Sequence, residues 1–329
     1  MNKLQTLKLA LSILLLHIPI AGRAEVNQVI KIGSGPIIWF SQPSIIIGEG
    51  WDKEVGLSIE QKRFPGPAHL LQAFVQGDLD GMNNNLGAAI LSYSKGIKLK
   101  LISATIIGDI SLLSDQNLIK LKNEFGQVEA IKKFAAANDR KLILVTNSKG
   151  SLSDLIARYW LSKNFPNYKS YIDIIHAGDI AQLQQIFILN KADLISSFIP
   201  IKESISLKRS NIDYFLSTKE LMKNQPGGAL AMRAEFLDSH KVEAHKLKIL
   251  YQKATDLMLS DPDRAAKHIE KHLLGGLLTK EIIKEILIQN KEFFNTDLNL
   301  VKDNTQLIHD FMLEEKYINQ PINLDNIFN

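Results

Sequence analysis

Apolar and polar positions change their period repeatedly along this chain. The run 29–32 is short and apolar and stops at Gly33-Ser34-Gly35-Pro36, which predicts a buried strand and a tight turn. An apolar stretch over 37–48 predicts a helix whose start is set by Pro43, since proline fits a first turn but not a helix interior. Residues 57–64 alternate, the signature of a strand with one buried face. Gly66 and Pro67 then form a cap and a first helical position, and Leu70, Leu71, Phe74 and Val75 share one helical face. Gly77 ends that helix, 79–82 predicts a short strand, and Asn83-Asn84-Asn85 predicts a polar turn before the apolar segment 86–94. A longer apolar run, 97–107, predicts another strand.

The same grammar returns further along. Residues 141–145 predict a strand and 146–150 a polar turn. Ser151-Leu152-Ser153-Asp154 matches an acidic capping box. Leu152, Leu155, Ile156, Tyr159 and Trp160 form a buried helical stripe. Strands are predicted at 171–175 and 192–198, around a helix that starts at Gly178-Asp179. At an offset of 113, Phe74 falls on Phe187, Gly77 on Asn190 and Asp80 on Asp193. Alternation of this kind implies an α/β chain folded as two lobes, each a mostly parallel sheet flanked by helices. The expected partition is a first lobe over 25–107, a second over 108–227, and a return to the first over 228–329. The return begins with a strand at 228–232 and a helix at 234–259, and the chain ends in an extended tail around 321–325. The crossings between lobes are expected near 108–116 and 217–227.

Composition narrows the picture. The chain has 329 residues, 45% of them hydrophobic and 22% charged, the balance of a globular protein. It has no cysteine, which removes disulfides, thiolate metal sites and thiol nucleophiles. Lys3 and Lys8, the apolar run 9–21 and Gly22-Arg23-Ala24 have the layout of a secretory signal peptide cleaved after Ala24. The whole chain carries 39 basic and 35 acidic residues. Residues 1–24 hold Lys3, Lys8 and Arg23 and no acid, so the remainder is near neutral at +1. A chain of that charge has no overall field for a polyanion, so nucleic acid is not an expected partner.

In parallel α/β sheets ligands bind beyond the carboxyl ends of strands. Four turns qualify: Ser34, Gly35 and Pro36; Gly66 and Pro67; Asn83, Asn84 and Asn85; and Ser148, Lys149, Gly150 and Ser151. Helix N-termini there offer unpaired N–H donors, though every α/β protein has such turns. Trp39 and Phe198 are further candidates for contact with a ligand, with core packing the alternative for Trp39. Gly33-Ser34-Gly35 begins like a dinucleotide fingerprint, but Ile38 stands where its third glycine belongs. His268 and His272 are spaced as on a zincin helix, but without a glutamate beside the first histidine, and read as a solvated face. His69 and His176 fall near predicted strand ends, as candidates to border a cleft. No catalytic triad, cofactor motif or metal motif emerges, so neither cofactor nor enzymatic activity is expected.

Taken in order, these motifs resemble the periplasmic solute-binding proteins of ABC importers, in the nitrate/sulfonate/taurine branch. The residues that carry the resemblance are 32–50 with Trp51-Asp52-Lys53-Glu54-Val55-Gly56-Leu57, and Pro65-Gly66-Pro67-Ala68 through Gly77-Asp78-Leu79-Asp80. They continue with Ser148-Lys149-Gly150-Ser151-Leu152-Ser153-Asp154 and Asp261-Pro262-Asp263-Arg264-Ala265-Ala266. Two places depart from it: Asn83 to Asn85 replace a small apolar turn, and Phe198-Ile199-Pro200 lacks a tryptophan–acid pair. The resemblance implies a two-lobed type II, Venus-flytrap fold that closes on a small polar or anionic solute. The solute would be sulfonate-, nitrate- or taurine-like, or pyrimidine-like. The closed form, a monomer in the periplasm, would dock on a membrane permease. The alternatives are an enzyme on the same scaffold, related to thiamine-pyrimidine synthases or menaquinone-pathway enzymes, and a solute-sensing partner of a receptor.

Overall fold

The structure, a computed structural model, describes residues 29–328 except Gly66, Ile199, Leu207 and residues 275–277. The expected signal peptide therefore lies outside the described residues. Ten strands form two five-stranded sheets. The first contains β1 (Val29–Ser34), β2 (Ser58–Arg63), β3 (Gly81–Asn85), β4 (Leu99–Ile106) and β10 (Gly228–Arg233), in the order β2-β1-β3-β10-β4. The second contains β5 (Ile110–Asp115), β6 (Leu142–Thr146), β7 (Ile172–His176), β8 (Leu194–Phe198) and β9 (Ile212–Leu216), in the order β7-β6-β8-β5-β9. In each sheet one strand runs against the rest, β10 in the first and β5 in the second. These are the two strands by which the chain enters one lobe from the other.

The offset found in the sequence is structural. β2, the helix Pro67–Gln76 and β3 are answered by β7, the helix Ile180–Ile188 and β8. Phe74 and Phe187 are both fully buried on the inner faces of those helices, each burial contributing roughly 1.5–3 kcal/mol. An arginine lies over each ring, Arg233 at 5.1 Å and Arg209 at 4.4 Å, and each also donates to the carbonyl of that phenylalanine. Gly77 and Asn190 both take positive φ, 91° and 56°, at the ends of these helices, a conformation those residue types tolerate best.

Several expectations need correction. Asn83 to Asn85 are the second half of β3, not a polar turn. They pair with Leu230, Ala229 and Gly228 of β10, a partner that a local pattern cannot reveal. Residues 110–115 are a buried strand rather than a polar crossing, and the first crossing shrinks to 107–109. The helix predicted over 234–259 is two helices, Ala234–Ser239 and Lys241–Ser260, broken at His240. Residues 37–48 split into a 3-10 turn, Ile38–Phe40, and a helix, Gln42–Glu49, with Pro43 in its first turn. Helices Gln116–Phe125 and Gln127–Asn138, and strand β9, complete the second lobe.

The two crossings are tied to each other. Gln225, fully buried, accepts from the Ile110 N–H at 3.0 Å and donates to the carbonyls of Ile110 and Thr218 at 2.9 Å. Gly227 is required here, because a Cβ would strike the Ile106 carbonyl. The helix Asn299–Glu314 packs on both Leu86–Ser94 of the first lobe and Leu152–Asn164 of the second. The tail then lies along β4, where the Leu101 N–H donates to Ile327 at 2.7 Å. No helix among the described residues is long and apolar enough to cross a membrane.

Candidate functional site

The strand ends named from sequence differ in what their side chains do. Ser34, at the end of β1, is fully buried and accepts from Asn83 Nδ2 at 3.0 Å. Asn83 Oδ1 in turn accepts from Tyr251 Oη at 3.1 Å. This Ser34–Asn83–Tyr251 chain pins two strands to the long helix Lys241–Ser260. Burial raises the Tyr251 hydroxyl well above its ordinary pKa, with the bond to Asn83 opposing, so it remains a donor. Ser34 and Asn83 thus serve the first lobe's interior.

The next two asparagines differ again. Asn84 is 5% exposed; its Oδ1 accepts from the Asn85 N–H at 2.8 Å, and its Nδ2 has no partner. Asn85 is the N-cap of the helix Leu86–Ser94, accepting from the Ala88 N–H at 2.9 Å. Gly35 is buried and turns the chain through an Ile37 N–H to Gly35 carbonyl bond, while Pro36 is exposed. Pro67 is the first residue of its helix, and Gly66 lies outside the described residues.

In the second lobe the turn after β6 is already filled. Asp154 is fully buried, and its carboxylate accepts from the Gly150 N–H at 2.9 Å, Arg158 Nε at 2.8 Å and Tyr317 Oη at 3.2 Å. Thr146 Oγ1 at 3.3 Å and His176 Nε2 at 3.1 Å complete the shell. Burial, and then the neighbouring Asp154 charge, push the Tyr317 hydroxyl up to about 12. Ser151 caps the helix as expected, but Asp154 reaches Gly150 rather than the cap's own N–H. In the turn before this helix, the Gly150 N–H is therefore taken by the protein's own carboxylate. Ser148 and Lys149 stand exposed on the rim.

Trp39 and Phe198 meet across the seam. Trp39 is 2% exposed, and its ring stands edge-on to the half-buried Phe198 ring at 6.1 Å between centroids. The two rings, one from each lobe, thus pack on each other. His268 is not on a solvated face: its Nε2 lies 2.6 Å from Glu49 Oε1. Among the described residues no group of three or more His, Asp or Glu could hold a metal ion.

Sequence reasoning passed over Asp109 in the first crossing, and Thr105, Ser111 and Ser197 beside it. Each is under 9% exposed and has a side-chain oxygen without a partner. Burial alone pushes the Asp109 carboxyl up to about 7, with only its own backbone N–H opposing. A single acid between two apolar runs, 97–107 and 110–113, was the signal available.

The fold recurs among solved structures. The ligand-binding component of an ABC-type import system from Staphylococcus aureus, solved with zinc bound, superposes with a TM-score of 0.70 at 17% identity, over 92% of this chain and 97% of that one. The periplasmic aliphatic sulphonate binding protein SsuA of Escherichia coli gives 0.70 at 14% identity, over 91% and 96%. The periplasmic nitrate-binding protein NrtA of Synechocystis PCC 6803 gives 0.71 at 16% identity, over 92% and 86%. No curated protein sequence matches. The sequence profile of one family matches residues 23–272, and on that match the chain belongs to the NMT1-like family.

Proposed function

We propose that this chain is the extracytoplasmic solute-binding component of an ABC importer, exported through residues 1–24 and working as a monomer. It captures a small polar solute between lobes 25–107 with 228–329 and 108–227, and presents the closed form to a permease. The observation that carries this reading is the pair of similar five-stranded lobes linked by two crossings, with the helix Asn299–Glu314 packed on both and buried polar atoms lacking partners beside the first crossing. Such atoms are expensive in a finished core and expected in a site that a ligand completes. The solved neighbours described as an ABC-type import system's ligand-binding component and as periplasmic sulphonate- and nitrate-binding proteins support the same assignment.

The closing motion asks little of the chain. A hinge needs only a few residues to absorb backbone rotation, and 107–109 and 217–227 are such segments. A solute favours the closed state by its differential affinity for it. The test is thermal melting of the purified chain against nitrate, sulfonates, taurine, pyrimidines and polyamines. A true solute raises the melting temperature with concentration, following RT ln(1 + [L]/Kd). Chemical turnover of the stabilising compound would replace this reading with an enzymatic one.

A further inference from the structure

Four unpartnered oxygens surround the first crossing. Thr105 is the penultimate residue of β4, Asp109 precedes β5, Ser111 is the second residue of β5, and Ser197 is the penultimate residue of β8. Their exposures are 0%, 7%, 1% and 0%. Ser111 and Ser197 are direct cross-strand partners, so their side chains leave the sheet on one face. Asp109 has the same parity as Ser111. Thr105 Oγ1 lies against the bare face of Gly228, beside Phe40. Asn84 Nδ2, from β3, is a further unpartnered donor, beside the three hydroxyls, which can donate as well as accept.

The set carries one formal charge and nothing of opposite sign to match it. It holds a carboxylate and three hydroxyls, and no lysine, arginine or histidine. The hydroxyls can donate or accept, but the strong charge-assisted donors that favour a sulfonate or nitrate are absent from it. A groove of about 300 Å³ between the lobes adds to the imbalance. It is lined by Glu203 of the second lobe and by Glu281, Ile282, Glu285, Ile286 and Gln289 of the helix Lys280–Gln289, so its charged side chains are all acidic on a mostly apolar surface. Both of its walls lead back to the crossing. The Lys280–Gln289 helix runs towards Phe293, whose carbonyl accepts from the Ile107 N–H, and the Ile201–Ser206 helix follows Phe198, the cross-strand partner of Ile110. A buried carboxylate without a cation is driven to its neutral form, and a cation brought beside it restores the charge.

Resting on the solute-binding reading, we infer that the captured solute carries a protonated nitrogen (an ammonium, amidinium or guanidinium group) that pairs with Asp109 and donates to Ser111 and Ser197. This separates the site from one built for a sulfonate or nitrate. Asp109 supplies the charge, and the two serines fix where the N–H groups point.

The test incubates the purified chain with the small-molecule fraction of a cell extract, desalts it, denatures it and identifies what it retained by mass spectrometry. D109N and the paired variant S111A/S197A are run beside it, each first shown to unfold in one cooperative transition. The expected result is a retained solute with a basic nitrogen, lost at least tenfold in D109N and several-fold in S111A/S197A. A retained sulfonate, nitrate or carboxylate without a basic nitrogen, held equally by D109N, overturns the cationic assignment and leaves solute binding standing. A parent chain that retains nothing overturns both.

Discussion

Asp80 and Asp193 perform one task in two lobes. Each carboxylate accepts a backbone N–H of the second strand of its sheet, Lys31 on β1 in the first lobe and Ile143 on β6 in the second, at 2.8 Å in both. Each residue's own N–H donates back to the carbonyl of that same partner, at 2.9 and 2.8 Å. The bonds lock the start of the third strand of each sheet beside its neighbour. Replacing either aspartate with alanine is expected to cost about 1–3 kcal/mol, read from the urea midpoint. A loss of only a few tenths in either lobe would deny the equivalence.

Asn83 is expected to act on stability more than on solute affinity. Asn83→Ala leaves the Ser34 hydroxyl and the Tyr251 hydroxyl buried without partners, each worth about 1–3 kcal/mol. Tyr251→Phe removes one donor and is expected to cost less, about 1 kcal/mol. Chemical denaturation of the two variants checks the order, and a neutral Asn83→Ala would contradict it.

Gln225 joins the two crossings through three hydrogen bonds, all in the interior. Gln225→Ala is expected to cost roughly 1–3 kcal/mol, because it removes the partner of the buried Ile110 N–H and one donor to the Ile110 carbonyl, while the Thr218 carbonyl keeps the Met222 N–H. Hydrogen exchange is expected to quicken at Ile110 first, and unchanged protection there would contradict the role assigned to Gln225.

Asp109 gives a pH signature with a defined sign. Its folded-state value, about 7, lies above the ordinary 3.8. Between those values the folded chain binds a proton that the unfolded chain has lost, so stability falls as pH rises from about 4 to about 7. The contribution is on the order of 4 kcal/mol over the window. It is read as the difference between parent and D109N, since depressed carboxylates such as Glu49 and Asp213 act with the opposite sign. Parallel stability–pH curves for parent and D109N would refute it.

The sequence exposed whatever repeats locally. Strands β1, β2, β6, β7 and β10, the stripe from Leu152 to Trp160, and the Phe74/Phe187 offset all lie within short windows of chain. It concealed whatever depends on distant partners. Three asparagines look like a turn until β10 pairs with them, and residues 110–115, flanked by polar positions on both sides, read as part of a crossing until β8 and β9 enclose them. The site divides the same way. Trp39 and Phe198 were legible as large rings near strand ends. Asp154 was legible as a cap partner, but nothing local announces that Tyr317 and His176 also reach it. Asp109 acquires its meaning only from burial.

The central claim is that two lobes clasp a solute at their seam. The chain has no cysteine, so Lys95→Cys in the first lobe and Lys169→Cys in the second, both exposed, can carry a pair of spin labels cleanly. The distance between them is measured by pulsed electron resonance with and without the extract fraction that the chain retains. The account predicts a broad distribution that shifts and narrows to one distance when solute is held. An identical distribution in both samples, with solute demonstrably bound, would contradict it.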